Sequence, residues 1–146
     1  MNSFVKATLV AAMVGVPLAV SADDEGDIKY RQAVMKGMSA HAGAISQIAK
    51  GKVSHTEALE GHAHALLELS KMVPAAFKNQ TSGDSAAKPE VWSDRSGFEA
   101  AAGDLRDGAM AVAEASKSGP QATSAALGKL FDACKACHKE YRVKKD

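Results

Sequence analysis

Residues 120–142 read PQATSAALGKLFDACKACHKEYR, and the stripe Leu127, Leu130, Cys134, Cys137, His138, Tyr141 recurs at helical intervals. Pro120 suits the first turn of a helix, and the basic tail Arg142, Lys144, Lys145 suits its C-terminus, where the backbone dipole favours cations. Both cysteines are therefore predicted on the buried face of a C-terminal helix.

Three stretches upstream share that period, and none alternates as a half-buried strand would. The first has the seam Ile28, Arg31, Met35, Met38, Ala42, Ile45, Ala49, with Gly51 placed to stop it. Arg31 stands there where packing alone would select Leu. The second opens on a capping-box pattern, Ser54 with Glu57, and runs through Leu59, Ala63, Leu66, Leu69 and Val73 to an expected end before Pro74. Residues 78–88 are polar and aperiodic, one long connection leading to the short segment Pro89 to Trp92. The third has a second capping-box pattern, Ser96 with Glu99, then Phe98, Ala101, Leu105, Ala109, Val112 and Ala115 before Ser118 and Gly119. Gly103, Gly108 and Gly128 fall inside helical patterns, where close helix packing is the simplest reason for them. Four apolar stripes satisfy one another in an all-α, antiparallel four-helix bundle. No repeat and no second domain is visible.

The chain starts with Lys6 as its one early charge, an apolar run from Ala7 to Val20, and the small residues Ser21 and Ala22 before Asp23, Asp24 and Glu25. The run is shorter than the roughly 20 residues that span a bilayer, so residues 1–22 read as a secretory signal peptide and 23–146 as the folded domain. Losing Lys6 with that leader leaves seventeen basic residues against seventeen acidic ones. Such a balance points neither to nucleic acid nor to an anionic membrane. The mature part is long enough for one modest core, to which a large bound cofactor would add apolar burial.

An exported chain could have joined its two cysteines to distant parts of the fold, yet both lie in Cys134-Lys135-Ala136-Cys137-His138. This is the pattern of covalent haem attachment. Positions three apart share a helix face, so both thiols can reach one edge of a porphyrin, and His138, four residues after Cys134, can bind iron from the same side. A thioredoxin-like pair would want a preceding strand and a βαβ setting, and zinc would need two further ligands. A haem-free helical thiol protein is the third alternative. His41, His55, His62 and His64 read as surface or partly buried residues; His62 and His64, two apart, point to different sides of a helix.

A Cys-x-x-Cys-His motif at the far C-terminal end, followed by Lys139-Glu140-Tyr141-Arg142, resembles the class II cytochromes c, the cytochrome c prime family. So do Lys29-Tyr30-Arg31-Gln32 in the first helix and Lys88-Pro89-Glu90-Val91-Trp92-Ser93-Asp94 before the third. The likeness covers essentially the whole mature chain. It implies one haem c bound through Cys134 and Cys137 with His138 as proximal iron ligand, Arg31 near a propionate, Gln32 against the haem, and Glu90 contributing from the loop. It also implies homodimers formed through the first two helices. An Arg31 that instead snorkels to the bundle surface is the competing reading. Met35 stands where the family places the residue over the distal face of the haem. Low-spin relatives use a first-helix methionine as sixth iron ligand, whereas high-spin members keep an apolar, non-binding residue there, and a seam methionine is most often packing material. We favour an open, five-coordinate iron, with Met38 a weaker candidate ligand.

The expected function is periplasmic electron transfer with redox partner proteins, the alternative being binding of nitric oxide or carbon monoxide. No paired carboxylates, Ser-His arrangement or glycine-rich phosphate loop stands out, so no enzymatic activity is expected.

Overall fold

The computed structural model describes residues 22–83 and 85–144; the leader expected over residues 1–22 lies outside them save for Ala22. Among the described residues there are five α-helices: α1 (Ala22–Ala49), α2 (Leu59–Ala76), the single-turn α3 (Glu90–Ser93), α4 (Arg95–Ser116) and α5 (Pro120–Tyr141). The four long ones form the bundle, α1 packing along α2, α2 along α4 and α4 along α5, with α5 closing less extensively on α1. Their antiparallel course shows in the pairs across α1 and α2, where Arg31 meets Ala76 and His41 meets His62. The shared core includes Ile45, Leu59, Leu66, Val73, Val112 and Leu130, all almost completely buried.

Three boundaries add to or differ from the sequence reading. Helix α1 begins at Ala22, ahead of the seam that runs from Ile28, with Asp23, Asp24 and Glu25 in its first turn, where carboxylates favour the N-terminal dipole. Helix α2 starts at Leu59 after a 3₁₀ turn, Thr56–Ala58, without the side-chain cap expected of Ser54, and runs on through Pro74. Tertiary contacts explain that extension, because the carbonyls left over at its end are taken up from outside. Arg31 Nε donates to Ala76 O at 2.8 Å, Arg95 to Pro74 O at 2.9 Å and Phe77 O at 2.8 Å, and Trp92 Nε1 to Phe77 O at 3.1 Å. Third, the cap of α4 is Asp94 rather than Ser96: its carboxylate accepts from Gly97 N at 3.2 Å.

The long connection has a structural role at each end. Its first part is tied to α1, Asn79 donating to Asp27 at 3.0 Å and Ser82 N to Asp24 at 3.1 Å. Its last part closes the end of α5, with Lys88 N on Tyr141 O at 3.0 Å and Val143 N on Ala86 O at 2.9 Å.

The three helical glycines divide. A Cβ on Gly108 would stand 3.2 Å from Leu130 Cδ1 and 3.4 Å from Leu130 Cα, the close packing expected of it. Gly103 and Gly128 face open space, so packing does not account for them. Gly128→Ala should therefore stabilise the fold by about 0.5–1 kcal/mol through helix propensity, while Gly108→Ala should gain nothing or lose. Urea unfolding of the two variants checks this, and a larger gain at Gly108 would refute the assignment.

Candidate functional site

The α5 stripe sets the position of each thiol. Leu127 and Leu130 hold the helix to the core, Cys134 packs against the edge of that core, and Cys137, one turn on, lines an open depression of about 430 Å³ between α4 and α5. Small residues such as Gly97 and Ala101 from α4 and Ala133 and Ala136 from α5 share its walls with Asp104, Asp132, Glu140 and Tyr141. Both thiols are half-buried and free, and His138 follows at the exposed end of the same helix.

Burial pushes both thiols above the ordinary cysteine range, Cys134 further raising Cys137. Burial, followed by the positive charge of Arg142, lowers His138, even though part of its ring reaches solvent. A lowered imidazole pKa favours the neutral form, the one able to donate a lone pair to a metal. In the haem-free chain, alkylation of Cys134 and Cys137 should be slow at neutral pH and rise at higher pH than for an unstructured cysteine. The unfolded chain releases the thiol protons first, so the haem-free fold should also lose stability as pH climbs past the ordinary thiol range. A rate profile matching that of a cysteine peptide would contradict both.

Around Arg31 a second cluster forms. The residue is only 3% exposed, which rules out snorkelling to the surface. Beyond Ala76, its guanidinium donates to Thr81 Oγ1 at 3.0 Å and to Asn79 O. It lies 5.3 Å from the Phe77 ring centroid and 5.2 Å from that of Trp92. Three of its five N–H groups are thus engaged, one on each guanidinium nitrogen.

Ring contacts connect this cluster to α5. Phe77 and Phe98 stand 5.4 Å apart, and Tyr141 meets Phe98 edge-on at 5.4 Å. The Tyr141 hydroxyl donates to Asp94 at 2.9 Å, and a Cβ on Gly97 would fall 2.6 Å from it. Glycine at that position thus keeps the Tyr141–Asp94 contact open. The sequence reading missed Arg95 and the Asp94–Tyr141 link; the Asp94-Arg95-Ser96-Gly97 run was the available cue, an Asn/Asp-type cap three residues before a backbone N–H.

The other expected site residues lie apart from the thiols' burial. Gln32 on α1 and Glu90, the first residue of α3, are exposed, while Met35 is half-buried against the core beside the buried Val34 and Met38. Among the described residues, no group of three or more His, Cys, Asp or Glu side chains could hold a metal, so zinc has no cluster there. No helix among them is long and apolar enough to cross a membrane.

These residues fit a haem. Two thiols one turn apart on one helix flank, an imidazole whose lowered pKa favours the neutral form, an open depression beside them and a buried guanidinium supply the group types that attachment, ligation and a carboxylate each require.

Comparison with known proteins agrees. Residues 27–142 match the family model for cytochrome c prime. The chain is 31% identical to the cytochrome c prime of Rhodospirillum rubrum over 137 residues, covering 92% of this chain and 93% of that one. It is 32% identical to the cytochrome c-556 of Agrobacterium tumefaciens, covering 84% and 99%. Among solved structures, the nitric oxide complex of a mutant cytochrome c prime from Alcaligenes xylosoxidans superposes with a TM-score of 0.77 at 32% identity, covering 86% of this chain and 99% of that one. With the attachment motif on its terminal helix, the antiparallel bundle and a family match spanning nearly all described residues, the chain belongs to the cytochrome c prime family and carries covalently attached haem c.

Proposed function

We propose that the chain is an exported one-electron carrier of the periplasm, a haem protein without enzymatic activity. Residues 1–22 direct export and are removed, leaving 23–146 as the working domain. Cys134 and Cys137 hold one haem through thioether bonds, and His138 is the proximal iron ligand. When bound, the haem supplies a one-electron couple at iron.

The observation that carries this reading is the surface position of the attachment helix: Cys137 lines an open depression and His138 is exposed, so the redox group would lie within reach of a partner protein. Partial desolvation, followed by the positive charge of Arg142, lowers the His138 pKa and so favours the neutral imidazole that can bind a metal. Arg31 offers its two remaining N–H groups to a propionate, with the solvent-facing Gln32 and Glu90 as polar neighbours. A homodimer through α1 and α2 accompanies this reading, and Tyr30 and Met72, 51% and 42% exposed, offer apolar surface on those helices. Sedimentation would give its mass.

A second reading, capture of nitric oxide or carbon monoxide, is favoured by the nitric oxide complexes among similar structures and by Met35, half-buried and packed against the core as an apolar lid would be. Ferric and ferrous absorption spectra, with and without nitric oxide, test both in the parent protein and in Met35→Ala. A low-spin spectrum that turns high-spin only in the variant makes Met35 the sixth ligand and supports the electron carrier. A high-spin parent that responds to nitric oxide makes Met35 a lid and favours gas binding.

A further inference from the structure

Away from the haem site, the fold brings together two histidines that lie 21 residues apart in sequence. His41 Nδ1 and His62 Nδ1 stand 2.9 Å apart, with ring centroids 5.2 Å apart and planes tilted by 54°. Both rings are partly buried in the α1–α2 interface, next to the buried Ala42 and Ala63. The helices are held close nearby, since a Cβ on Gly37, one turn before His41, would lie 3.0 Å from Leu69 Cδ1. The pair is ten residues along α1 from Arg31, about 15 Å at helical rise.

We propose that His41 and His62 form a binding site for a divalent transition-metal ion, copper(II) in preference to zinc. The nitrogen spacing supports this directly. Two imidazole nitrogens bound at about 2.05 Å stand about 2.9 Å apart at a right angle and about 3.3 Å apart at a tetrahedral angle. The observed 2.9 Å is that of the N–H···N hydrogen bond between the rings, and the same spacing serves the right-angled, tetragonal arrangement of copper(II), which also binds nitrogen donors more tightly than zinc does.

The proton balance also permits it. As a hydrogen-bonded pair, one Nδ1 carries the proton and the other accepts it. When that proton moves to the Nε2 of its own ring, both Nδ1 lone pairs become available and no net charge changes. Small rotations about the two side chains aim those lone pairs at one metal. The described residues supply no third His, Cys, Asp or Glu ligand, so water completes the coordination and the affinity is that of a two-histidine site.

The test is titration of the purified holoprotein with copper(II) alone, followed by calorimetry and electron paramagnetic resonance. The tightest copper should couple to two imidazole nitrogens. His41→Gln and His62→Gln, in which the amide can keep a hydrogen bond across the interface, should each weaken that site at least about tenfold, a loss that even an outer-shell change can bring. His64→Gln should leave it unchanged. Copper held at the amino terminus, His55 or His64 would survive both pair variants, and an unaltered isotherm in them overturns the proposal. Resonance of the unaltered protein decides independently of variant folding: coupling to fewer than two imidazole nitrogens in the tightest copper also overturns it.

Discussion

With Cys134→Ala and Cys137→Ala combined, haem staining after denaturing electrophoresis should disappear completely, while either single variant should retain some stain. Thioether bonds survive denaturation, whereas coordination by His138 alone does not. The half-buried thiols share one α5 flank, with Cys134 against the core and Cys137 on the open depression. They are also the only cysteines in the sequence, so no other thiol can substitute. The double variant should unfold at a lower temperature as well, because a covalently held haem buries apolar surface only when the chain is folded. A stain of parental strength in the double variant would remove the attachment assignment and return the cysteines to the haem-free alternative.

The largest effect on the protein fold itself should come from Arg31→Met. The change keeps an unbranched apolar stem but removes the guanidinium, leaving the carbonyls of Ala76 and Asn79 and the Thr81 hydroxyl without their charged donor. Charge-assisted bonds of this kind each contribute about 1.5–3 kcal/mol when buried. Asn79 is exposed and Thr81 only partly buried, and burying the guanidinium has its own cost, seen in the lowering of its pKa by desolvation, which Asp27 and Asp24 oppose. The net loss should be about 2–4 kcal/mol, measured by urea unfolding with haem content matched between variants. Arg31→Lys should recover little, since one ammonium cannot span three acceptors held in a fork. A change within about 0.5 kcal/mol, the range of ordinary surface substitutions, would mean that the α2 end holds together without Arg31.

The two variants bear on parts of the molecule that differ in how far the sequence exposes them. The proposed attachment site is local: Cys134, Cys137 and His138 lie within five residues of one helix, and helical repeat alone gathers them. Arg31 was legible only as an anomaly, a charge in an apolar seam. Its partners at Ala76, Asn79 and Thr81 lie 45 to 50 residues away and are mostly backbone atoms, which carry no residue-specific mark in a sequence. The same applies to Pro74. A proline read locally ends a helix, and only the donors from Arg31, Trp92 and Arg95 at the α2 terminus show why this helix continues two residues further.

The glycines and histidines repeat the lesson. Nothing in sequence separates Gly108, pressed against Leu130, from Gly128, which faces open space. Nor does it indicate that His41, read as one more partly buried residue, meets His62 rather than solvent.

By itself, then, the sequence determined the all-helical bundle, the C-terminal attachment helix and the haem chemistry, because periodicity and a five-residue motif are properties of neighbouring positions. The tertiary structure alone decided where Arg31 sends its hydrogen bonds, why α2 outlasts its proline, how Tyr141 is tied to Asp94 and which histidines face each other. Each of these depends on the distance between helices that are far apart in the chain, and that distance is set by how the whole core packs.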